Sequence, residues 1–105
     1  MSAIVTVYAI FASEEEALRI GRSCVEERLA ACVNLLGAVR SVYRWQGRIE
    51  EGVEVAALFK TTAESARALI VRIGELHSYD VPAAVVWPIA DALGDYAKWV
   101  ETTTR

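Results

Sequence analysis

The chain has 105 residues, of which 54% are hydrophobic and 24% charged, and its mean hydropathy is +0.28. This length predicts one domain spanning residues 1–105, and the composition is too apolar for a disordered chain. A net charge of −3 argues against nucleic-acid binding, and charged residues interrupt every apolar run before it is long enough to span a membrane.

The chain begins with a predicted strand and helix. Residues 3–10, AIVTVYAI, are apolar at both alternating sets of positions, which is typical of a strand covered on both faces. Ser13 and Glu16 stand at the capping-box spacing and predict a helix that ends near Leu29 or Ala30. Its expected buried stripe consists of Leu18, Gly21, Val25 and Leu29.

A long hairpin follows. Residues 31–45 return to strand character, and Gly37 predicts a bend or bulge within them. Gln46-Gly47 predicts a tight turn, after which residues 49–59 alternate between apolar and charged side chains. Gly52 is a candidate second bulge. A hairpin of this length is expected to project beyond the core of so small a domain.

A second helix is predicted after the hairpin. Thr61 and Glu64 repeat the capping-box spacing, and the helix that they open is expected to end at Leu76 or His77. Its expected buried stripe consists of Ala66, Leu69, Ile70, Ile73 and Leu76.

The C-terminal part predicts a strand and a short helix. Pro82 and Pro88 confine the strand over residues 81–89 to a sheet edge or to its own ends. Asp95 is the expected N-cap of the last helix, which carries Tyr96, Trp99 and Val100 on one face.

The order β-α-β-β-α-β with a C-terminal helix predicts an α+β, ferredoxin-like fold. Two helices cover one face of a four-stranded sheet, which leaves the other face, also apolar, without a cover. A second copy of the chain is the simplest cover, so the pattern favours an oligomer.

Five separate segments, in order over residues 4–100, resemble the CutA family of divalent-cation tolerance proteins. They are ERLAACVN (27–34), VYRWQGRIEE (42–51), LFKTT (58–62), ELHSYDVP (75–82) and Asp95-Tyr96 with Trp99. The resemblance implies a ferredoxin-like fold similar to that of the PII signalling proteins. It also implies a homotrimer in which the hairpin strands pair across subunits, and a role in tolerance of copper and other divalent ions.

The resemblance also suggests where a metal would bind. Some family members have a cysteine near the end of the first strand and two adjacent histidines, and these have been proposed as copper ligands. Here Ala9 and Leu76 occupy two of those positions, and only His77 remains. Cys32 is the soft candidate to join His77 in a predicted metal site and suits Cu(I), while a Cu²⁺ or Zn²⁺ site is also open to hard carboxylate candidates: Glu50, Glu51, Asp80, Asp91 and Asp95. The structural alternative is that His77 caps a helix C-terminus.

Other polar and aromatic side chains predict a ligand cleft. Lys60, beside a helix start expected at Thr61 and Thr62, is suited to an anionic group, or else to a salt bridge with Glu50 or Asp80. The predicted cleft residues are Lys60, Tyr79, Asp80 and Glu50. Tyr43 and Trp45 are predicted to lie in the trimer interface.

The sequence therefore predicts a non-enzymatic divalent-cation tolerance protein that binds metal weakly and requires no cofactor. The alternative is a PII-like sensor or adaptor that binds an anionic small molecule at an inter-subunit cleft. The N-terminus has no basic segment ahead of an apolar run, and Cys24 and Cys32 are too few for a disulfide framework. Both features predict a cytoplasmic protein with free thiols.

Overall fold

Residues 3–105 form a four-stranded antiparallel sheet and three helices in the computed structural model. Met1 and Ser2, part of the predicted domain of residues 1–105, lie outside the described residues. The elements are β1 (Ile4–Phe11), α1 (Glu14–Glu26), β2 (Cys32–Trp45), β3 (Arg48–Thr62), α2 (Ala66–Leu76), β4 (Ala84–Pro88) and α3 (Gly94–Thr103). The strand order β2-β3-β1-β4 confirms the predicted ferredoxin-like arrangement.

α1 begins as predicted. The Ser13 hydroxyl accepts a hydrogen bond from the Glu16 backbone N–H at 3.1 Å, and Glu16 Oε1 accepts one from the Ala12 N–H at 3.3 Å. The predicted capping box is thus present, with the carboxylate bonding one residue before the N-cap.

α1 ends earlier than predicted, and its buried stripe differs. Arg28 has a φ of 62°, a left-handed conformation that terminates a helix, so the predicted end near Leu29 is wrong. Gly21 is buried as expected, but Leu18 is 52% exposed, and Ile20 and Cys24 take its place in the core.

The main core lies between α1, α2 and one face of the sheet, called here the helix face. Val7, Ala9 and Phe11 of β1 point into it together with Phe59 of β3. Leu69 and Ile73 of α2 complete the cluster, and both are fully buried.

The β2–β3 hairpin has the predicted bulge at Gly37 and the predicted turn at Gln46-Gly47, but not the predicted bulge at Gly52. The register shifts between Leu35 and Gly37, which is the predicted bulge, and Gln46 and Gly47 have φ values of 50° and 79° in the turn. Gly52 pairs in register with Ser41, so the second predicted bulge is wrong. The hairpin gives the domain its long axis of 45 Å, against 26 and 21 Å in the other directions.

The start of α2 also differs from the prediction. β3 continues through Thr62, and Thr61 is fully buried, where its hydroxyl donates to the Leu29 carbonyl oxygen at 2.7 Å. The helix therefore begins at Ala66, and the predicted capping box at Thr61 and Glu64 is wrong.

β4 forms the edge of the sheet opposite to β2, and α3 lies across one end of the sheet. β4 is an edge strand with Pro82 before it and Pro88 at its end, as predicted. α3 has Leu93 as its N-cap, with Asp95 inside its first turn, so the predicted cap at Asp95 is wrong. Val100 packs on Ile4 and Ala31.

The face opposite the helix face, called here the second face, is covered by α3 at one end only. Tyr8 and Ile10 of β1 point to it because they alternate with the core residues. Trp87 and Val85 of β4 pair with Thr6 and Tyr8 on the same side, and each is 47% exposed. The Tyr8 and Trp87 rings stack with centroids 4.6 Å apart, so this surface is apolar and carries a stacked aromatic pair.

Candidate functional site

A cleft of about 540 Å³ lies beside the hairpin. The outer half of the hairpin forms one wall, and the segment between α2 and β4 forms the other. The lining residues are Ile10, Ser41, Tyr43, Trp45, Glu50, Glu54, Tyr79, Asp80, Val81 and Ala83. Three of these carry carboxylates, and among the described residues that line the cleft none is basic.

Strand register explains why the hairpin contributes these side chains. Tyr43 pairs with Glu50 and Ser41 with Gly52, so Tyr43 and Ser41 project from the same face. Glu54 lies four residues from Glu50 on β3 and therefore shares that face. The bulge at Gly37 shifts the alternation of β2 so that the outer half of the strand turns this set toward the second face.

A hydrogen bond between Tyr79 and Glu54 joins the two walls. The Tyr79 hydroxyl donates to Glu54 Oε2 at 2.6 Å. Burial of the phenol, together with that hydrogen bond, raises the pKa of Tyr79 well above its ordinary value. Tyr79 is therefore a neutral donor at physiological pH and holds one of the three carboxylates in place.

His77 lies behind the cleft and not in it. Its side chain is fully buried, and its ring stacks on Phe11 with centroids 5.1 Å apart. Nε2 lies 2.7 Å from the Ile10 carbonyl oxygen, and Nδ1 lies 3.1 Å from the Tyr79 backbone nitrogen. Both ring nitrogens thus have protein partners. His77 is also the C-cap residue of α2, the position that the structural alternative assigned to it.

Cys32 and Lys60 lie elsewhere on the sheet. They pair directly across β2 and β3, and Lys60 pairs in turn with Thr6 of β1, four residues or about 13 Å along that strand from Ile10. The Cys32 sulfur lies 3.6 Å from the Tyr96 hydroxyl, and burial followed by that contact raises the pKa of Tyr96 to about 12.

The prediction that Lys60 lies in the cleft is wrong. Lys60 donates to Asn34 Oδ1 at 3.1 Å, in place of the predicted salt bridge to Glu50 or Asp80. Because β3 continues to Thr62, the helix N-terminus expected beside Lys60 is absent there as well. The basic side chain that an anionic ligand would need is therefore not in the cleft.

The residues predicted to bind metal are not brought together. Cys32 begins β2, whereas His77 follows α2 and contacts the other end of the sheet at Ile10. Within residues 3–105, no group of three or more His, Cys, Asp or Glu side chains is arranged to hold a metal ion. The chain by itself therefore does not fit a closed copper or zinc site, which takes three or four ligands.

The cleft also contains residues that sequence reasoning missed. Glu54 and Ser41 were not among the predicted site residues, although Glu54 follows Glu50 at a spacing that places both carboxylates on one strand face. That spacing was the available signal. Tyr43 and Trp45, predicted as interface residues, line the cleft.

These features define a class of protein: a ferredoxin-like domain with a projecting hairpin and an acidic cleft beside the outer half of that hairpin. Residues 5–103 match the family described as CutA1 divalent ion tolerance protein. The chain belongs to that family. None of the helices in the described residues is long and apolar enough to cross a membrane.

Individual relatives agree over nearly the whole chain. The divalent-cation tolerance protein CutA of Thermus thermophilus is 45% identical over 92 residues, which are 88% of this chain and 89% of the relative. The structure of CutA from Xylella fastidiosa has a TM-score of 0.95 and 36% identity, covering 99% of this chain and 100% of that one. CutA1 from Pyrococcus horikoshii has a TM-score of 0.91 and 40% identity, covering 96% and 98%.

Proposed function

We propose that this member of the divalent-ion tolerance family acts without catalysis, by binding a divalent cation in the acidic cleft. The observation that carries the proposal is the set of carboxylates from Glu50, Glu54 and Asp80 on the cleft walls, with no basic residue among the described lining residues. The three carboxylates do not form a closed ligand set within residues 3–105. They make the cleft negatively charged, and this charge supports weak binding in which the cation keeps most of its water.

The same observation makes the PII-like alternative the weaker one. An anion in this cleft would face three carboxylates, and Lys60 is bonded to Asn34 on another part of the sheet. The copper-binding prediction for His77 and Cys32 is replaced in this proposal by the cleft carboxylates, because the two residues lie apart and the His77 ring is enclosed.

Zinc titration followed by calorimetry tests the proposal. We expect Glu54→Gln combined with Asp80→Asn to weaken zinc binding about ten-fold or more, because the two substitutions remove two of the three negative charges that line the cleft. Glu15→Gln, an exposed carboxylate on α1, is the matched control and should bind like the wild type. Equal zinc affinity in the double variant and the control would overturn the proposal, as would tighter binding of inorganic phosphate than of zinc.

We further propose that the protein is a homotrimer, as the family resemblance implies. The exposed apolar second face, with Trp87 and Val85, supports this assembly. The opposite face of the projecting hairpin also exposes apolar side chains, because Val42, Ile49 and Val53 are each at least 60% exposed. Cys24 and Cys32 are free thiols, which supports the proposed cytoplasmic location; cell fractionation would test it.

A further inference from the structure

The chain contains one histidine, and its ring connects two separate parts of the structure. The ring of His77 lies between the end of β1 and the segment that follows α2, stacked on Phe11 and tilted against Tyr79 with centroids 4.7 Å apart. This enclosed position prevents metal ligation from solvent, so the role of His77 has to come from its two hydrogen bonds.

Those hydrogen bonds determine where the ring proton lies. The backbone N–H of Tyr79 is a donor, so Nδ1 of His77, 3.1 Å from it, has to accept and carries no proton. Nε2 then carries the proton and donates to the Ile10 carbonyl oxygen at 2.7 Å. The geometry therefore requires the neutral ring with its hydrogen on Nε2.

The neutral ring fixes the cleft through Tyr79. The Tyr79 backbone is held by Nδ1, and its hydroxyl reaches across the cleft to Glu54 Oε2 at 2.6 Å. A continuous series of contacts thus runs from Ile10 through His77 and Tyr79 to Glu54.

A competing partner for Nδ1 is already in place. Glu16 Oε1 lies 3.7 Å from Nδ1, and its side chain is 9% exposed. When Nδ1 takes up a proton it becomes a donor, which makes the bond from the Tyr79 N–H impossible and an ion pair with Glu16 favourable. The charged and titratable groups around the ring are Glu16 from α1, with Arg19 4.0 Å from its carboxylate, and Tyr79 from the α2–β4 segment, which links to Glu54 of β3.

We propose that His77 is a positioning residue whose neutral ring holds Tyr79 in the cleft wall and whose protonated ring releases it to bind Glu16. The cleft is therefore pH-sensitive, ordered when the ring is neutral and loosened when the ring is charged. The switch itself rests on internal contacts, and only its effect on cation binding rests on the proposed function.

Nuclear magnetic resonance of protein labelled with ¹⁵N-histidine tests the first step. A single histidine gives one pair of ring nitrogen signals, whose shifts report which nitrogen is protonated. We expect protonated Nε2 and bare Nδ1 at mildly alkaline pH. A proton on Nδ1, or a ring that stays charged under those conditions, would overturn the proposal.

Labelling the four tyrosines with ¹³C at the ring carbon that bears the hydroxyl tests the second step. Tyr79→Phe assigns the Tyr79 signal. In the wild type, this signal should move as the pH falls, in step with the histidine nitrogen shifts. A Tyr79 signal that stays still while His77 becomes protonated would refute the switch, and this measurement needs no variant of His77.

Two substitutions of His77 separate positioning from simple filling of space. In His77→Asn, the amide oxygen takes the place of Nδ1 and can still accept from the Tyr79 N–H. His77→Gln reaches toward Ile10 and leaves the Tyr79 N–H without its acceptor. We expect the Tyr79 signal of the Asn variant to stay near its wild-type alkaline position at every pH, and that of the Gln variant to be displaced at every pH. Equal behaviour of the two variants would contradict the assigned role.

Zinc affinity distinguishes this inference from the proposed function. We expect His77→Gln to lose about ten-fold in affinity while His77→Asn stays near the wild type, as outer positioning groups at metal sites commonly show. If no protein binds zinc but the resonance results hold, the proposed function fails and the switch stands. If zinc binds equally to all proteins, the switch does not control the cleft.

Discussion

At the scale of single residues, Gly21 determines how closely α1 approaches the sheet. A Cβ atom at this position would lie 2.8 Å from Cγ1 of Val33 on β2. Alanine would gain about 0.5–1 kcal/mol in helix propensity but would overpack the contact, which typically costs about 1–3 kcal/mol. Because Val33 is β-branched and stiff, we expect Gly21→Ala to lower the free energy of unfolding by about 1 kcal/mol. Urea denaturation measures this change.

Gly74 provides the matched control in the other helix. It lies within α2, is exposed, and has no atom within 4 Å of the position where a Cβ would stand. Gly74→Ala should therefore raise the free energy of unfolding by about 0.5–1 kcal/mol. A stabilising effect of both substitutions, compared at one protein concentration, would show that Val33 yields to the added methyl group.

The lowered pKa of Glu16 makes the free energy of unfolding sensitive to acid. Burial raises its pKa, but the Ser78 side chain and the Ala12 backbone N–H stabilise the carboxylate more, so the pKa lies below its ordinary value of 4.5. A carboxyl group with a lowered pKa stabilises the fold above its unfolded-state value, and this contribution is lost as the pH falls through the folded-state value. We expect the wild type to lose more stability below pH 4.5 than Glu16→Gln does.

Denaturant midpoints measured from neutral pH into the acid range check this expectation. The exposed neighbour Glu15→Gln serves as the control and should follow the wild-type pH profile. If the profile of Glu16→Gln is parallel to that of the wild type, Glu16 does not contribute to acid sensitivity.

At the scale of elements, the hairpin turn depends on one glycine. Gly47 has a φ of 79°, a conformation that costs a residue with a side chain about 1–2 kcal/mol. Gly47→Ala should therefore destabilise the hairpin by about that amount. Gly52→Ala, in the adjoining strand β3 and with nothing within 4 Å of the added Cβ, should be neutral or stabilising. Thermal unfolding followed by circular dichroism compares the two, and equal melting temperatures would contradict a strained turn.

Local signals were enough to predict most of the elements. The capping residue Ser13, the bulge at Gly37, the Gln46-Gly47 turn and the two prolines around β4 each act through their own backbone geometry, which is why sequence reasoning finds them. Thr61 was misassigned because a threonine before a helical pattern resembles a cap. Its actual partner is the carbonyl of Leu29, which is distant in sequence.

The site was less predictable than the elements for the same reason. Tyr79, Asp80 and Glu50 were predicted to share a ligand cleft from their polar and aromatic character, and the three line one cleft in the structure. The contact between Tyr79 and Glu54 depends on how the hairpin lies over the α2–β4 segment, and no local pattern contains that information. The enclosure of His77 by Phe11 likewise follows from tertiary packing.

At the scale of the whole molecule, a group of exposed apolar side chains lies together on one face of the sheet. The two long helices cover one face of the sheet, and α3 covers one end of the other. The remaining second face exposes the stacked pair of Tyr8 and Trp87 together with Val85. Apolar side chains grouped in this way typically mark an interface. Ile10 points to the second face and also lines the cleft, so an interface on this face would border the cleft.

The second face is the expected contact between copies of the chain. We expect light scattering to give a mass of three chains of 11.5 kDa each for the wild type. Trp87→Glu should reduce the mass and remove the concentration dependence of the melting temperature that a trimer shows, because it places a charge in the proposed interface. Val71→Glu is the control, since Val71 is equally exposed at 47% but lies on α2, away from the second face. A wild-type mass of one chain, or equal effects of the two substitutions, would show that the second face is not the contact between copies.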